Sequence, residues 1–499
     1  MDSVAPCAVR RVVVHGVQHT HESVVQQELY EIRAARTLGA IGSSCCRAAV
    51  NLRSLDIFDA CDVLCDAAPG QSPDGLPLAD IVVTVREKKR LTSASTGVHT
   101  QSGEGSVDGS LSVRNLLGRA ERLELNGEMG QQKSNSFRAL LVKPRFLGRD
   151  ATISAELSKQ QVSQVKRSSF MQKDRTARVS CQVGSADGPT GAHELTCELS
   201  LRDVCKLPPG EASWAIVQQR GTSLKSALRH SFSLASLDDA LTPSSGYSVK
   251  LVNEIAGLPP LGDVRYRKHS VHASLFAPLL PRGLLTLALQ GQAGFLLPLS
   301  GSSYRAGTAQ GAAGASCICD RFFLGGPGSF WGFRTNGLGP RDDRHPPCTT
   351  PPTSSAAAAP PPYSSGRASA RPPPRDALGG DVMGIATASL SAPLPGRFKA
   401  MGARGQVFAS AGGLQTLGGL QAAIDGHAQR AAAVGDSVTQ RGCVANALLD
   451  AMRACVGIGI AVPTTLGRVE LNLTHVLRRQ PNDSVQRSGW QIGMSAGLS

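Results

Sequence analysis

The chain has 499 residues and a formal net charge of +14, with 41% hydrophobic but only 4% aromatic residues. Its 54 glycines and 30 prolines favour many short strands joined by turns over a helical bundle. The positive charge raises nucleic acid as a partner, but acids are interspersed among the lysines and arginines along the whole length, which argues against it. A basic pore lining or anionic lipid headgroups would explain the charge equally well.

The N-terminal segment MDSVAPCAVRRVVVHGV predicts no secretory signal, because it carries Asp2 and lacks an apolar core before a small-residue cleavage site. It is not a Ser/Arg-rich amphipathic presequence either. If Met1 is the genuine start, we expect synthesis and release in the cytosol. The 13 cysteines show neither a CxxC pair nor zinc-ligand spacing, so we expect free thiols in a reducing compartment and no metal site.

A small α+β domain is predicted at the N-terminal end. Its expected order is strand, helix, helix, turn, strand, which is about the smallest unit that buries a sheet under a helix pair. The segments are Val9–Val17 (strand), His21–Ile32 (helix), Cys46–Ala67 (helix) and Asp80–Glu87 (strand).

From Leu91 onward, short segments alternate between apolar and polar residues, and turn residues separate them. His193–Val204 (HELTCELSLRDV) is typical, with leucines and Cys197 on one face and the polar residues on the other. A soluble sandwich or propeller would turn the apolar faces inward. A membrane barrel would turn them toward lipid and keep the polar residues in its lumen. The charged residues expected in such a lumen are Glu194, Glu198, Arg202, Glu470 and His475.

Two uncharged windows are long enough to be considered as membrane helices. Residues 283–304 contain several polar residues and a proline, and residues 405–424 are rich in glycine, so neither fits a helical span. Only a closed barrel could then cross a bilayer. Alternation alone leaves the soluble and the membrane interpretations open.

One long interruption breaks the alternating pattern. Asp342–Leu378 (DDRHPPCTTPPTSSAAAAPPPYSSGRASARPPPRDAL) is rich in proline, serine and alanine and has no apolar periodicity. This composition predicts an exposed disordered insert outside the fold. A PxxP-type docking site is the alternative to a tolerated insertion.

The stretch Phe322–Arg341 (FFLGGPGSFWGFRTNGLGPR) concentrates aromatic residues between glycines, in a spacing that fits neither a helix stripe nor a strand. The likeness to a phosphate-binding GxGxxG is only superficial, because Trp331 stands where the third glycine would be. Glycines allow a backbone to fold back through a confined space, and buried rings can hold it there. We therefore predict a loop wedged against a wall.

The same stretch is similar to the signature of the BamA-type (bacterial surface antigen) superfamily of outer-membrane barrel proteins. There, a long loop folds back into the barrel and carries a (Val/Ile)-Arg-Gly-(Phe/Tyr) core. The matching loop residues here are Gly325, Gly326, Pro327, Phe330, Trp331, Gly332, Phe333, Arg334, Gly339 and Pro340.

The resemblance implies a mainly β fold: a single POTRA domain over residues 1–90, followed by a 16-stranded antiparallel transmembrane β-barrel over residues 91–499. Gly379–Lys399 resembles the strand after the loop, and residues 401–499 resemble the final four strands. One POTRA domain without a signal peptide resembles the mitochondrial branch, the barrel channel subunits of the sorting and assembly machinery (SAM/TOB complex). That branch implies a location in the mitochondrial outer membrane with the POTRA domain toward the intermembrane space.

One position departs from the family core, because Trp331 stands where the family has arginine. The resemblance implies that this arginine anchors the loop to acidic groups on the barrel wall, and an indole cannot form such a charge-assisted bond. Arg334 could supply the cation, or stacking of Phe330, Trp331 and Phe333 could hold the loop. We favour stacking, because Arg334 would have to reach around a different turn.

The resemblance also implies a mechanism at the seam between the first and last strands, expected near Leu91–Gln101 and Gly489–Leu498. If the seam parts, a precursor strand can pair with the exposed edge. An ordinary closing pair of strands is the alternative. The terminal segment also fits the mitochondrial β-signal: polar, any, Gly, two free positions, hydrophobic, any, hydrophobic. The candidate gate residues are Thr92, Ser95, Thr96, Gln491, Gly493, Met494, Ala496 and Leu498.

The implied partners are β-barrel precursors with a C-terminal β-signal, membrane lipids and accessory subunits of the machinery, but not nucleic acid. Ile81–Val85 offers a candidate pairing edge in the POTRA domain. No GxSxG, nucleotide-binding or HExxH motif is present, so we expect neither an enzyme nor a cofactor. The alternatives are a related protein translocase, a passive porin, and a soluble all-β enzyme or lectin.

Overall fold

The structure is a computed structural model in which thirteen segments of the chain are described. They are residues 5–71, 75–89, 91–101, 104–131, 134–146, 149–207, 212–258, 262–281, 284–299, 316–344, 375–434, 440–464 and 467–495.

The N-terminal domain is a three-stranded sheet covered on one face by helices. Its strand order is β1-β3-β2, with β1 parallel and β2 antiparallel to the central β3. The apolar sides of the helices and of β3 meet in one core, in which Leu29, Ile32, Leu52 and Ile81 are fully buried. The elements are β1 Ala8–His15, α1 Glu22–Glu28, α2 Tyr30–Ala34, α3 Leu38–Ser54, β2 Phe58–Gln71 and β3 Pro77–Glu87.

Two predictions for this domain are wrong. The helix predicted over Cys46–Ala67 ends at Ser54, and the following Asp56 takes a left-handed φ of +55° that breaks the helical path. The rest of that segment is β2, where Cys61, Val63 and Cys65 pair with alternate residues of β3. Consequently Ile81–Val85 lies in the central strand, paired on both sides, and cannot be a free pairing edge.

After residue 91 the described part of the chain is dominated by one 16-stranded antiparallel sheet, so the predicted fold class is confirmed. Each strand pairs with its neighbour in the chain, except that β14 pairs with β17 across the long loop. β4 and β21 stand at the two ends of the strand order. The strands are β4 Thr92–Gln101, β5 Glu104–Arg114, β6 Arg122–Gly130, β7 Asn135–Lys143, β8 Ala151–Ser163, β9 Met171–Val183, β10 Ala192–Cys205, β11 Gly221–Leu237, β12 Gly246–Ala256, β13 Tyr266–Pro278, β14 Thr286–Pro298, β17 Val382–Pro393, β18 Arg404–Gln415, β19 Arg453–Thr464, β20 Gly467–Arg478 and β21 Trp490–Ser495.

The two faces of this sheet are inverted relative to a soluble protein. On β10 the polar residues Glu198 and Arg202 are buried, whereas Leu195 and Leu199 are 48% and 40% exposed. The polar face therefore lines the interior and the apolar face points outward, as a transmembrane barrel requires. Glu470 follows this pattern, but placing His475 in the lumen is wrong: it is five residues away and lies on the opposite, outward face.

Short helices and one helical hairpin interrupt the strands. The predicted last four strands, β18 to β21, are present, but the two longest of these helices form a hairpin between β18 and β19 that the resemblance did not predict. The helices are α4 Val165–Ser168, α5 Trp214–Val217, α6 Arg397–Ala400, α7 Leu417–Val434 and α8 Gln440–Asp450. No helix in the described part of the chain has the length and apolar character needed to cross a membrane.

The structure describes only the two ends of the segment predicted to be a disordered insert. Its central part, residues 345–374, lies outside the described residues. Disorder over the whole of Asp342–Leu378 is wrong at both ends, because β15 Arg341–Asp343 and β16 Arg375–Ala377 form a two-stranded ribbon. Charge complementarity explains this order: Asp376 is fully buried and pairs with Arg344 at 2.7 Å.

Candidate functional site

The infolded loop comprises residues 316–344, between β14 and β17. Gly326 and Phe330 exchange backbone hydrogen bonds of 3.0 and 3.1 Å, which closes a tight turn around Pro327. Gly325 and Gly326 have φ of +112° and +98°, values that favour glycine. Leu338 N–H then donates to the Leu324 carbonyl at 3.1 Å. The loop therefore doubles back on itself as a hairpin inside the sheet.

The aromatic rings of the loop pack against the interior wall, where the sequence pattern placed them. Phe330 and Phe333 are fully buried, and their rings meet edge to face with centroids 5.3 Å apart. They belong to a core that includes Met383 of β17 and Phe408 of β18. Farther along, Gly339 has φ of +98°, and a Cβ there would lie 2.8 Å from Leu414. Pro340 accepts a backbone hydrogen bond from Leu378 N–H at 3.1 Å.

The loop also holds the last strand, through what we call the loop clamp: Pro327, Trp331, Gly332 and Phe333. The side chain of Gln491 on β21 accepts from Gly332 N–H at 2.7 Å. Its amide donates to the Phe333 carbonyl at 2.8 Å. Two residues on, Trp331 and Pro327 cover Gly493 so closely that a Cβ there would lie 2.7 and 2.9 Å from them. Motif and gate residues predicted separately are thus in direct contact.

Trp331 and Arg334 differ in their surroundings. Trp331 is partly buried and lies 6.4 Å, centroid to centroid, from Phe408. Arg334 is exposed, and its backbone N–H donates to the Ser484 carbonyl at 2.9 Å. In the part of the chain that the structure describes, its guanidinium forms no ion pair. The preference for stacking over an Arg334 anchor stays a prediction about variants of the two residues.

The charged anchor of the loop was missed by sequence reasoning. Asp320, ten residues before Phe330, accepts two hydrogen bonds from Arg202 of β10, at 2.7 and 3.1 Å. Tyr266 of β13 donates to the same carboxylate at 2.8 Å, and Lys268 donates to the Asp320 carbonyl at 2.7 Å. The family resemblance implied a cation on the loop and acidic groups on the barrel wall. The structure shows the opposite arrangement, because the loop carries the acid Asp320 and the wall carries the cation Arg202. Strand alternation placed Arg202 inward, but nothing in the sequence named its partner.

Beyond this anchor, charges alternate in sign across the interior wall from β7 to β12. Neighbouring charges are 2.7 to 3.1 Å apart. A cavity of about 650 Å³ lies beside them, bounded by Phe322 of the loop. Such a wall is polar but nearly balanced in charge. The ladder consists of Arg138, Glu156, Arg178, Glu198, Lys225 and Glu254.

The candidate gate residues divide between the two faces of the sheet. On β4, Ser95 points inward and its hydroxyl meets that of Ser110 at 2.7 Å, rather than the loop. Thr92 and Thr96 point to the opposite, outward face of the sheet, which they share with Val107 and Leu111 of β5. On β21, Gln491 and Gly493 point inward and Met494 points outward. Ala496 and Leu498 lie outside the described residues.

The N-terminal domain contacts the barrel at the turn between β5 and β6. His21 N–H donates to the Gly118 carbonyl at 2.6 Å, and the Asn115 side-chain amide donates to the Thr20 hydroxyl at 2.9 Å. Arg145, after β7, pairs with Glu28 of α1 at 2.6 Å. The domain is therefore held against the strand ends on the same side as the start of β4.

Residues 115–496, which include fourteen of the sixteen barrel strands, match the Omp85 superfamily domain. The chain belongs to the Omp85 superfamily. The BamA-type resemblance predicted from Phe322–Arg341 is thereby confirmed. The N-terminal α+β region lies before the matched residues, and its sheet and helices are consistent with a POTRA-like part. The chain is accordingly a barrel of the outer-membrane type.

Curated relatives carry the name "sorting and assembly machinery component 50 homolog". The *Bos taurus* protein is 30% identical over 337 residues, which cover 67% of this chain and 66% of that protein. The *Homo sapiens* protein is 29% identical over 339 residues, with 67% and 66% covered. The match thus spans just under two thirds of these relatives. A SAM50-like protein of *Schizosaccharomyces pombe* is 24% identical over 503 residues, covering 99% of this chain and 91% of the relative.

Among solved structures, BamA from *Haemophilus ducreyi* lacking POTRA domains 1–3 matches with a TM-score of 0.70 and 16% sequence identity. The match covers 97% of this chain and 84% of that one. At this identity the likeness shows a shared fold, including the barrel and the domain before it.

Proposed function

We propose that the chain folds β-barrel precursors and inserts them into the mitochondrial outer membrane. The observation that carries the proposal is the contact between the infolded loop and β21, because Gln491 and Gly493 fix the loop on a strand at one end of the sheet. A barrel that only enclosed a pore would gain nothing from a loop fastened at its seam. The names of the bovine, human and yeast relatives support the same role.

Lateral opening between β4 and β21 is the mechanism that we propose. In the described part of the chain β21 pairs with β20 over Arg468–Leu473, and β21 and β4 are the two end strands of the sheet. An open edge presents unpaired N–H and C=O groups, and a precursor strand added to β4 would satisfy them. The hydrogen bonds lost at the seam are then largely replaced, so the net cost is small.

Burial of the precursor's own apolar face in lipid would supply the driving force. The proposed activity therefore needs no covalent catalysis, nucleotide or cofactor. Its partners are β-barrel precursors, lipids in contact with the outward leucines, and accessory subunits. The N-terminal domain, held at the β5–β6 turn by Thr20 and His21, would face the intermembrane space and receive precursors there.

A passive porin fits the interior less well. At the end of the barrel away from the N-terminal domain, Phe170, Val204 and Ile216 pack on Ile318 of the infolded loop as a buried apolar cluster. Close beside it, Arg202 holds Asp320. This packing places side chains across the lumen, whereas a passive pore requires an unobstructed path.

Depletion of the protein tests the proposal. Newly imported radiolabelled outer-membrane barrel precursors are followed in isolated mitochondria by native electrophoresis, and depletion should stall them before membrane insertion. Re-expression of the native chain should restore assembly. Normal precursor assembly with reduced passage of small solutes would instead support a porin, and release of the chain by alkaline carbonate would contradict a membrane barrel.

A further inference from the structure

Two cations lie side by side on the outward face of the barrel, away from the end strands β4 and β21. Lys159 of β8 and Arg175 of β9 are directly opposite each other in the strand register, and both side chains are exposed. Leu157 and Val179, 65% and 56% exposed, share this face. In the described part of the chain neither cation forms an ion pair. We propose that Lys159 and Arg175, the cation pair, bind the phosphate of an anionic phospholipid in the adjoining leaflet.

The cation pair lies where the apolar part of the outward face ends. The outward residues from 151 to 157 on β8 and from 177 to 183 on β9 are hydrophobic, and the cation pair borders that band directly. Arg145, which precedes β8, contacts Glu28 of the N-terminal domain, so the cation pair lies at the other end of the barrel. Long cationic side chains at such a margin rest their stems on apolar surface and hold their charges among lipid headgroups. The cation pair therefore belongs at headgroup level, in the leaflet away from the N-terminal domain.

On the described strands β7 to β10, the row of the sheet that holds the cation pair carries no acid. Its other members are Phe137 of β7 and Leu201 of β10, which are 54% and 41% exposed. Asp203 of β10 stands opposite Lys173, farther from the membrane centre, and offsets that cation instead. Like charges directly opposite in a sheet have Cβ atoms about 5 Å apart and repel each other. A phosphate between them would turn this repulsion into attraction, because arginine binds two of its oxygens and lysine adds a point charge.

A hydrophobic notch beside the cation pair favours a lipid over a free phosphate ion. Ala177 follows Arg175 on the same face, one step nearer the membrane centre, and its register partners are Leu157 and Leu199. These leucines are 65% and 40% exposed, so the small methyl group of Ala177 leaves a gap between two larger side chains. An acyl chain can fill that gap with close van der Waals contacts while its phosphate meets the cation pair. A free ion would use the cations alone.

The test measures binding of single lipids to the full chain in detergent micelles by native mass spectrometry. Phosphatidylglycerol and phosphatidylcholine with identical acyl chains are titrated, because only the first carries a net negative charge. Lys159→Gln/Arg175→Gln should weaken binding of the first phosphatidylglycerol about tenfold and leave phosphatidylcholine binding unchanged. The matched control is Arg267→Gln. Arg267 is an exposed outward cation at the same end of the barrel, on β13, and its row neighbours Ile255 and Leu297 are uncharged. This control should bind phosphatidylglycerol like the native chain.

Two further measurements separate a lipid from other anions. Ala177→Leu fills the notch and should weaken phosphatidylglycerol binding although both cations remain, whereas excess inorganic phosphate should not displace the lipid. Full affinity in Ala177→Leu together with displacement by inorganic phosphate would assign the cation pair to a free anion and overturn the proposal. Equal phosphatidylglycerol binding by the native chain and the double variant, or equal losses in the double variant and Arg267→Gln, would overturn it as well. Should the double variant fail to fold, Lys159→Gln alone is compared with Arg267→Gln. Precursor assembly does not enter these measurements, so their outcome is independent of the proposed function.

Discussion

Arg202 on the barrel wall and Asp320 on the infolded loop form a buried bidentate ion pair, with N–O distances of 2.7 and 3.1 Å. Both side chains are about 95% buried, at 5% and 4% exposure. Tyr266 adds a third hydrogen bond to the same carboxylate. The loop is therefore secured by an acid of its own, although the core of its motif carries Trp331 in place of the family's arginine.

Breaking this pair from one side should loosen the loop severely. Replacing Arg202 with Met leaves the Asp320 carboxylate buried without its main partner, and such single losses destabilise by about 3–5 kcal/mol. The free energy of unfolding, measured by denaturant titration in detergent, should fall by that amount. The double variant Arg202→Met/Asp320→Leu should lose less than Arg202→Met alone, since no unpaired charge remains.

A matched control for this prediction is Arg375→Met. Arg375 pairs with Asp343 at 2.6 Å, but their side chains are 34% and 48% exposed. Solvent screening limits such a pair to about 1 kcal/mol or less. Equal losses for Arg202→Met and Arg375→Met would contradict the anchor.

Replacing Trp331 should destabilise the barrel more than replacing Arg334. Trp331→Ala removes the ring between Phe408 and Gly493, and large-to-small changes of this kind cost about 3–5 kcal/mol when fully buried, so less is expected at this partly buried site. Arg334→Ala removes an exposed side chain and should stay within about 0.5 kcal/mol. Thermal unfolding in detergent compares them, and native-like behaviour of both variants would refute aromatic anchoring.

The alternation of apolar and polar residues predicted most of the barrel strands. Successive side chains of a strand point to opposite faces, so the leucines of β10 and its neighbours all lie on one face. The secondary structure of the POTRA-like domain was harder to predict from the sequence. Cys61, Val63 and Cys65 fit a helical spacing when continued from α3, and only pairing with β3 reveals them as a strand. The hairpin of α7 and α8 was missed because its glycine-rich start resembles the strands around it.

The sequence predicted which residues take part in the site, but not which of them contact each other. Phe330, Trp331 and Phe333 were expected against a wall, and Gln491 and Gly493 were expected at a seam. Their mutual contact joins residues about 160 positions apart, and it exists because the sheet curls until β21 meets the loop. Arg202 and Asp320 are separated by 118 positions for the same reason. Local patterns in the sequence carry no information on such pairings.

Covalent closure of the seam should stop precursor insertion. The side chains of Thr96 and Gln491 point to opposite faces, so a disulfide between these two positions would be strained. Outward residues are better suited, and we expect Thr96→Cys combined with Ile492→Cys or Met494→Cys to block insertion when oxidised. The exposed Cys46, Cys65 and Cys197 would first be replaced by alanine to prevent mispairing.

The measurement for the seam is assembly of imported barrel precursors before and after reduction. Reductant should restore insertion, and each single-cysteine chain should insert precursors in both conditions. A chain with the disulfide fully formed that still inserts precursors at the native rate would eliminate lateral opening.

Acidification should release the N-terminal domain from the barrel through Glu87. This carboxylate accepts N–H groups of Gln18, His19 and Thr20 at 3.2, 3.0 and 2.8 Å, and so orders the segment that touches Asn115. Burial alone would raise the pKa of Glu87, but the hydrogen bonds from Thr20, His19 and Gln18 outweigh it and lower the pKa below its usual range. The stabilisation is therefore fully present above the unfolded pKa of about 4.3 and is lost as the pH falls through the lower, folded value.

Hydrogen–deuterium exchange of the amides of residues 18–20 and 115–121 measures this release. In the native chain these amides should stay protected at pH 7 and lose protection once the pH falls below about 4.3. Lys88 and Arg114 also lower the pKa of Asp56, so acidification removes the stabilising contribution of Asp56 as well. A variant is therefore needed that changes Glu87 and leaves Asp56 intact. Glu87→Gln should show weaker protection at pH 7, because the charge-assisted bonds are gone, and a smaller further loss on acidification. An unchanged pH profile in Glu87→Gln would assign the effect to Asp56 and its partners instead.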